Sequence, residues 1–263
     1  RGSLDAWATL AALAAITDTV RLGTLVSPAT FRHPSELAKV VATVDHVSGG
    51  RAELGIGTGW LRAEHDAYGF PFLSQRERRE QLEEQITVIA GSWAAGPFSH
   101  SGERYEIRHL DALPKPVQRP RPNLLLGGRG GPRSIDLGAR VADEYNTVHK
   151  TVAEIAAIRR QLDERCAAHG RAPIPLSQMA TVLIGADAGE VRDRAAQLAE
   201  WKGIDGGADG LLAAAGDDWI VGTADEVAER FAQLADAGLE RVMVQHLLHR
   251  DLDAVGLLAR LAR

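Results

Sequence analysis

Residues 20–59 constrain the fold of this chain more than any other segment. They read VRLGTLVSPATFRHPSELAKVVATVDHVSGGRAELGIGTG and contain two short apolar runs, residues 20–26 and 51–57, each ending in small residues. A segment with helical spacing of its apolar residues separates the two runs, so the pattern predicts one β-α-β unit. The carboxyl ends of its parallel strands would share one edge, where α/β folds bind their ligands.

Small residues end the second of these strands, where Gly57, Thr58 and Gly59 follow one another. A glycine carries no Cβ, so a flat ring or a phosphate can approach its backbone closely. The sequence therefore predicts a ligand site at this edge.

Composition excludes several classes of protein. With 263 residues, 45% hydrophobic and 25% charged, the chain is long enough for one large α/β domain or two small ones. A net charge of −5 argues against general nucleic-acid binding. The one cysteine, Cys166, excludes an internal disulfide and a cysteine-based zinc cluster, and it fits a reducing cytoplasm. No apolar run approaches the roughly 18 residues of a membrane span.

Helical and strand patterns alternate along the chain, as in a parallel α/β fold. Strands are predicted near residues 22, 54, 125, 145, 182 and 243. Helices are predicted over residues 4–17, 34–47, 75–93, 132–141, 152–169, 189–200, 224–237 and 252–261. Loops are predicted over residues 60–73 and 94–122, the latter with a small hairpin at 98–107, and residues 203–217 are predicted to be a flexible loop or a poorly packed strand. The short run Arg76-Glu77-Arg78-Arg79 contains an acid and lies in a helical pattern, which predicts a solvated helix face.

The predicted strands leave two architectures open. Six strands fit an open doubly wound sheet, whereas a closed (β/α)8 barrel needs eight. The chain begins with a helix, residues 4–17, that is apolar enough to need a sheet beneath it. The absence of a first pair of strands from this chain would explain both observations. We therefore expect a single barrel domain over residues 1–263, shortened by its first two strands, with an insertion at 94–122.

An ordered series of short motifs extends over the chain from about Leu4. Its segments are Arg21-Leu22-Gly23-Thr24, Phe31-Arg32-His33-Pro34, Leu37-Ala38, Thr43-Val44-Asp45, Ser48-Gly49-Gly50-Arg51, Gly55-Ile56-Gly57-Thr58-Gly59-Trp60, Glu64-His65, Gly69, Glu77-Arg78, Gly102, Leu113-Pro114-Lys115-Pro116-Val117-Gln118, Pro120, Leu126-Gly127-Gly128, Ala142-Asp143 and Gly222-Thr223. No single motif is decisive, but in this order they closely resemble the luciferase-like flavin and deazaflavin oxidoreductases, and within them the F420-dependent branch of actinobacterial type.

The resemblance implies a (β/α)8 TIM barrel that binds its cofactor at the carboxyl ends of the strands. It also implies a cis peptide bond between Leu25 and Val26, in a bulge that follows Thr24 and lies behind the cofactor ring. The alternative is an ordinary strand end with Thr24 as its polar terminus. Polar residues that often follow the family's second strand have no position in this sequence to receive them.

The same resemblance places the loop of Gly57, Thr58 and Gly59 against the ring edge or the cofactor side chain; a tight turn is the alternative. Trp60 would wall the site or pack under the insertion. The sugar-phosphate dehydrogenase branch has a glutamate at this position, so Trp60 argues against a glucose 6-phosphate enzyme.

Two adjacent residues beyond that loop, Glu64 and His65, are candidates for proton handling, because histidine titrates near neutrality. Neighbours on a helix diverge by about 100°, so one at most would face the ring. The alternative is a salt-bridged Glu64 and a structural His65. His33, before Pro34, is predicted to be a helix-entry residue.

A second candidate binding loop consists of Gly127, Gly128 and Arg129, ahead of a helix that starts near Pro132. Free N–H groups at a helix N-terminus favour an anion, so this loop is a candidate phosphate cradle. The alternative is a glycine hinge with solvated arginines. No dinucleotide-binding Gly-x-Gly-x-x-Gly pattern with its ribose-binding acid is present, and no histidine or acid cluster has convincing metal-ligand spacing.

The resemblance implies hydride transfer between coenzyme F420 and a small organic substrate that the sequence does not identify. An FMN-dependent monooxygenase with a separate reductase is the first alternative, and a non-catalytic cofactor-binding protein is the second. We expect a cytoplasmic protein with no nucleic-acid or membrane partner. The resemblance also implies a homodimer formed through barrel helices. The helices at residues 4–17 and 75–93 are apolar enough to offer such a face, and core packing explains their apolar faces equally well.

Overall fold

The computed structural model describes residues 4–261 as two compact units. The first unit comprises residues 4–127 and Arg140–Glu144, and the second comprises Gly128–Ala139 and residues 145–261. That residues 1–263 form one domain stays a prediction.

The first unit contains the predicted β-α-β segment. Three short strands lie parallel to its longest strand, with Leu22 opposite Ala52, Ser27 opposite Ile56 and Leu54 opposite Leu124. The predicted hairpin in the insertion is present as a separate antiparallel pair. The elements are α1 (Ala6–Ala15), β1 (Leu22–Gly23), β2 (Ser27–Pro28), α2 (Pro34–Ser48), β3 (Ala52–Gly57), α3 (Arg62–Tyr68), α4 (Gln75–Trp93), β4 (Phe98–Ser101), β5 (Glu106–Leu110) and β6 (Asn123–Gly127).

Helix α2, which joins β2 to β3, has both its ends specified locally. Pro34 occupies the first turn, and the Nδ1 atom of His33 accepts a hydrogen bond from the backbone N–H of Ser35, which confirms His33 as a helix-entry residue. At the other end Gly49 adopts a left-handed conformation with φ of 66°, which glycine tolerates without steric penalty. The strands before and after α2 are thereby held parallel.

In the second unit, three strands pair in parallel with one long strand. β7 and β10 flank the amino-terminal part of β8, and β9 pairs with its carboxyl-terminal part. The elements are α5 (Pro132–Val141), β7 (Glu144–Val148), α6 (Val152–Ala168), β8 (Leu176–Gly185), α7 (Ala188–Lys202), α8 (Gly207–Ala215), β9 (Ile220–Thr223), α9 (Ala224–Asp236), β10 (Arg241–Gln245) and α10 (Leu252–Leu261). Cys166 is buried in α6 as a free thiol.

Two predicted loops contain helices. Residues 60–73 include α3, which at seven residues is too short to show a period. Residues 203–217 include α8, whose glycines gave it a low helical propensity. It forms because Leu211 packs in a buried cluster with Leu198 and Ala199 of α7. Tertiary burial has outweighed propensity here.

A buried carboxylate fixes the Pro-rich insertion against α2. Asp45 is fully buried, and its Oδ2 atom accepts hydrogen bonds from the backbone N–H groups of Val117 (2.7 Å) and Gln118 (3.0 Å). Its Oδ1 atom accepts a third from Nε2 of Gln118 at 2.7 Å. Charge-assisted bonds of this kind are about twice as strong as neutral ones. The segment 113–118 therefore has a fixed path although it lacks secondary structure.

No helix within residues 4–261 is long and apolar enough to cross a membrane.

Candidate functional site

The segment after β1 forms the base of the candidate site in the first unit. The peptide bond between Leu25 and Val26 is cis, at the position that the resemblance implied. Beneath it runs a chain of hydrogen bonds: Nε1 of Trp7 donates to Oγ of Ser27 (3.0 Å), and that hydroxyl donates to Oγ1 of Thr24 (3.1 Å). Thr24 in turn donates to the carbonyl of Gly55 at 2.8 Å. These bonds tie the segment to β3 from below.

Glycines at two strand ends make room for the Val26 side chain. A Cβ added at Gly57 would lie 2.8 Å from Cγ2 of Val26, and one added at Gly127 would lie 2.9 Å from its Cγ1. From the sequence, Gly57 was expected to leave room for a flat ring or a phosphate, and this reason needs correction. The space of its absent Cβ is taken by Val26 rather than left open to a ring.

The side chain of Leu25, by contrast, points away from this packing. It is 43% exposed, and Trp60, which follows the neighbouring strand β3, is 78% exposed. The prediction that Trp60 could pack under the insertion is wrong, because so exposed a side chain is packed under nothing. Thr58, between these residues and Gly59, is half-buried. Leu25 after β1 and Trp60 after β3 are thus both exposed apolar side chains, and apolar surface of this kind suits a flat aromatic ligand.

His65 lies in α3 with both ring nitrogens engaged. Its Nδ1 atom is 2.8 Å from the carbonyl of Leu61 and its Nε2 atom 2.7 Å from Oγ1 of Thr30. A carbonyl only accepts, so Nδ1 carries a proton and donates to it, while Nε2 is hydrogen-bonded to the Thr30 hydroxyl. The ring is 1% exposed and lies edge-on to Phe31 and Phe72. These contacts favour the structural alternative for His65.

The backbone of Gly59 depends on the same arrangement. Its φ is 73°, and an added Cβ would lie 2.9 Å from Oγ1 of Thr30 and 3.3 Å from the His65 ring. The position therefore requires glycine for conformation and for space. Glu64 is half-exposed and forms no salt bridge within residues 4–261, so the ion pair offered as its alternative role is absent there.

We expect His65→Ala to lower the free energy of unfolding by about 2–4 kcal/mol, because it removes a buried ring and two hydrogen bonds. Glu64→Gln should stay within about 0.5 kcal/mol of the wild type, as half-exposed substitutions usually do. Urea denaturation measures both. A His65→Ala protein as stable as the wild type but without activity would restore the proton-handling hypothesis for His65.

The second candidate loop begins the second unit. The N–H of Gly128 donates to the carbonyl of Asn146 (2.8 Å), and the N–H of Gly130 donates to Oη of Tyr145 (3.1 Å). Burial raises the pKa of the Tyr145 phenol, against the opposing effect of its hydrogen bond with Ser134. An added Cβ at Gly128 would lie 2.2 Å from Oη of Tyr145, so this glycine is also required by internal packing.

The arginine of this loop is solvated. Arg129 and Arg133 are exposed, and neither forms a salt bridge with another residue of the described part of the chain. α5 begins at Pro132, three residues after Arg129. The loop thus keeps cationic side chains beside a helix N-terminus, as a phosphate cradle requires, and a glycine hinge with solvated arginines fits the same contacts.

Sequence reasoning missed a polar network at the strand ends of the second unit. Nε2 of His149, just after β7, is 3.2 Å from Oγ1 of Thr181 on β8, and this hydroxyl donates to Oε1 of Gln245 at 2.9 Å. Gln245 ends β10, and His149 has a φ of 46°, rare for a residue with a side chain. The position of His149 directly after a predicted strand was the signal available in the sequence. Within residues 4–261, no group of three or more histidine, cysteine or acidic side chains is arranged to hold a metal.

Solved structures share this fold. The coenzyme F420-dependent tetrahydromethanopterin reductase of Methanopyrus kandleri superposes with a TM-score of 0.81 at 21% identity, over 98% of this chain and 86% of that one. The likeness confirms the predicted α/β fold class of the luciferase-like TIM barrels. The sequence profile of the luciferase-like monooxygenases matches residues 1–241. The chain therefore belongs to the luciferase-like monooxygenase family, as its motifs implied.

Its curated relatives differ in cofactor. An FMNH2-dependent dimethylsulfone monooxygenase of Pseudomonas putida is 34% identical over 161 residues, which is 61% of this chain and 44% of that protein. An F420-dependent glucose-6-phosphate dehydrogenase of Microbacterium testaceum is 34% identical over 139 residues, 52% of this chain and 40% of that protein. The chain thus spans less than half the length of these relatives.

Proposed function

We propose that this protein is an F420-dependent oxidoreductase that transfers a hydride between the deazaflavin and a small organic substrate. Bound F420 would supply the two-electron hydride chemistry. The protein's part is to bind the ring, to hold it against the strand ends and to leave one face open to the substrate. The observation that carries the proposal is the exposure of two apolar side chains, Leu25 after β1 and Trp60 after β3, which in this proposal line one apolar edge at the strand ends.

The supporting structure beneath this edge fits such a role. Val26 is locked between Gly57 and Gly127, and Thr24 is bonded to β3, so Leu25 is presented on a fixed backbone. A site held by packed supporting residues positions its ligand better than one on a free loop. In this proposal the Leu25 side chain backs the ring and Trp60 borders it. That Gly127, Gly128 and Arg129 bind a phosphate of the cofactor is a separate proposal.

An FMN-dependent monooxygenase is the second candidate, and the dimethylsulfone monooxygenase relative favours it. A protein that binds the cofactor without turnover is the third. A homodimer and a cytoplasmic location remain proposals. In α4, Leu82, Ile86 and Ile89 are buried within the chain itself, so core packing accounts for that face.

Fluorescence titration of the full-length protein with F420 and with FMN tests the choice of cofactor. We expect a micromolar dissociation constant for F420 and weaker binding of FMN. Leu25→Ala should weaken F420 binding about tenfold, because burying a leucine side chain contributes about 1.5–3 kcal/mol. Leu113→Ala is the matched control, since Leu113 is an exposed leucine in the insertion.

Equal or preferential binding of FMN would contradict the choice of F420, and oxygen consumption with reduced FMN would then support the monooxygenase. If Leu25→Ala and Leu113→Ala bind F420 equally well, the apolar edge is not the ring site.

A further inference from the structure

A positively charged side chain, Arg78, is buried near the start of helix α4. The run at residues 76–79 was expected to form a solvated helix face, and for Arg78 this is wrong. Arg78 is 9% exposed, whereas the side chain of Arg76, two residues earlier, is 80% exposed. Arg78 lies four residues before the buried Leu82, on the inward side of the helix.

The Arg78 guanidinium has no carboxylate partner in residues 4–261. One Nη1–H donates to the carbonyl of Leu73, while the Nε–H is buried and has no hydrogen-bond partner. The guanidinium lies over the Phe72 ring, 4.0 Å from its centroid. Burial of a charge without a paired ion is unfavourable, and an aromatic face offsets only part of that cost. The described part of the protein therefore offsets only part of the cost of burying the Arg78 charge.

Two further sources of positive charge lie close to the Arg78 guanidinium: a second arginine and the amino end of helix α4. The guanidinium of Arg62 lies 4.7 Å from the centroid of the same Phe72 ring, and its side chain is 66% exposed. Burial, and then the neighbouring Arg62, lower the pKa of Arg78. Arg78 also lies near the amino end of a 19-residue helix, where the helix dipole is positive.

The acids nearby in sequence do not pair with Arg78 in the described part of the chain. The carboxylate of Glu77 accepts from the N–H of Ser74 at 2.9 Å and closes the capping box of α4. Asp66 is 3.8 Å from Arg62 in an exposed pair, which contributes little. Neither carboxylate forms a salt bridge with Arg78.

We propose that Arg78 and Arg62, with Phe72 between α3 and α4, form a binding site for an oxyanion: a carboxylate, sulfonate or phosphate group. Arg78 is the fixed donor, held by Phe72 and by the Leu73 carbonyl, and Arg62 is the mobile donor that closes over the anion from solvent. Phe72 lies edge-on to His65, 4.8 Å between ring centroids, and His65 borders Gly59. The anion site is thus continuous with the strand-end edge of the same unit. Its ligand is the acidic group of an organic substrate or the phosphate of a cofactor.

Sulfate tests the site without any cofactor, so the result does not depend on the function proposed above. We expect sulfate to raise the melting temperature of the full-length protein by about 4 °C or more, relative to sodium chloride of equal ionic strength, at roughly 30 times the dissociation constant. Arg78→Met, which keeps an apolar stem on Phe72, should abolish that rise. Arg76→Gln, an exposed cation on the same helix, should retain it.

The proposal is overturned if sulfate raises the melting temperature of Arg78→Met as much as that of the wild type. It is also overturned if Arg76→Gln loses the rise to the same extent as Arg78→Met, because that result indicates general charge screening. If Arg78→Met does not fold, Arg62→Gln decides: the proposal requires a several-fold weaker sulfate effect, and an unchanged effect refutes it.

A second arm distinguishes the two sources of the anion. The ratio of FMN to riboflavin affinity reports on a cofactor phosphate, since the two flavins differ by that group. If Arg78→Met lowers this ratio toward one, the site serves a cofactor phosphate. If the ratio is unchanged while the sulfate effect is lost, the site serves an acidic substrate.

Discussion

Replacing Gly55 by alanine is expected to disrupt the first unit. A Cβ at this position would lie 1.9 Å from the backbone carbonyl oxygen of Thr24 and 3.2 Å from Cγ1 of Val26. Neither a rotamer change nor a small shift of a flexible side chain relieves a clash with backbone. We expect the free energy of unfolding to fall by more than about 3 kcal/mol, beyond the usual range for an overpacked core. Urea denaturation followed by circular dichroism measures this.

Two other glycines provide a graded comparison. In Gly57→Ala the new Cβ would lie 2.8 Å from a side-chain methyl of Val26, whereas in Gly55→Ala it would lie 1.9 Å from backbone, so the effect of Gly57→Ala should be smaller. Gly256 lies in α10 with open space around it and an ordinary φ, so Gly256→Ala should stabilise the helix by up to about 1 kcal/mol. A Gly55→Ala protein with the urea midpoint of the wild type would show that the Thr24–Gly55 contact does not hold the strand end in place.

The elements that the sequence predicted well are those with a long or complete local pattern. Gln75–Trp93 was expected as a helix with its observed bounds, because nineteen residues show the helical period several times over. The β-α-β unit around α2 carries its own start and stop residues, Pro34 and Gly49. Short elements such as β2, with two residues, exist only through pairing with a strand elsewhere, and local pattern cannot specify them.

The site was predicted less well because its contacts join distant parts of the chain. That Val26 fills the space beside Gly57 and Gly127 is a contact over about 30 and 100 residues, which no spacing rule reveals. The same holds for the hydrogen bond between Thr30 and His65. The cis bond after Leu25 followed from the family resemblance rather than from the residues themselves.

Arg78 shows where more could have been drawn from the sequence. Its spacing to Leu82, Ile86 and Ile89 places it on the buried stripe of α4, so helical periodicity indicated an inward-facing arginine. The charged run at residues 76–79 suggested the opposite, an exposed side chain, whereas the position of Arg78 along the helix indicates a buried one. A charged residue in register with an apolar stripe is the more informative signal, because such residues are rarely buried unless paired.

Asp45→Ala is expected to detach the insertion from α2. The substitution leaves the backbone N–H groups of Val117 and Gln118, and the side-chain amide of Gln118, without the carboxylate that accepts from all three. We expect a loss of about 3–5 kcal/mol in the free energy of unfolding, because hydrogen bonds to a charged group contribute about 1.5–3 kcal/mol each and buried donors left without an acceptor are costly. Hydrogen exchange at Val117 and Gln118 should become fast, and limited proteolysis should cleave nearby.

The control for Asp45 is an acid on the same helix. Glu36 is exposed in the first turn of α2, where it interacts only with the helix dipole, so Glu36→Ala should lose about 1 kcal/mol or less. Asp45→Asn keeps one acceptor oxygen for the Val117 and Gln118 N–H groups but turns its NH2 group toward Nε2 of Gln118, so its stability should fall between those of Asp45→Ala and the wild type. If Asp45→Ala keeps wild-type exchange rates at residues 117–118, the insertion is held by its other anchors. Those anchors include the hydrogen bonds from Lys39 to the carbonyl of Leu113, from His46 to that of Lys115 and from Lys115 to that of Ser92. If stability instead rises, and hydrogen exchange slows, from Asp45→Ala to Asp45→Asn to the wild type, one buried carboxylate sets the path of a segment with no secondary structure.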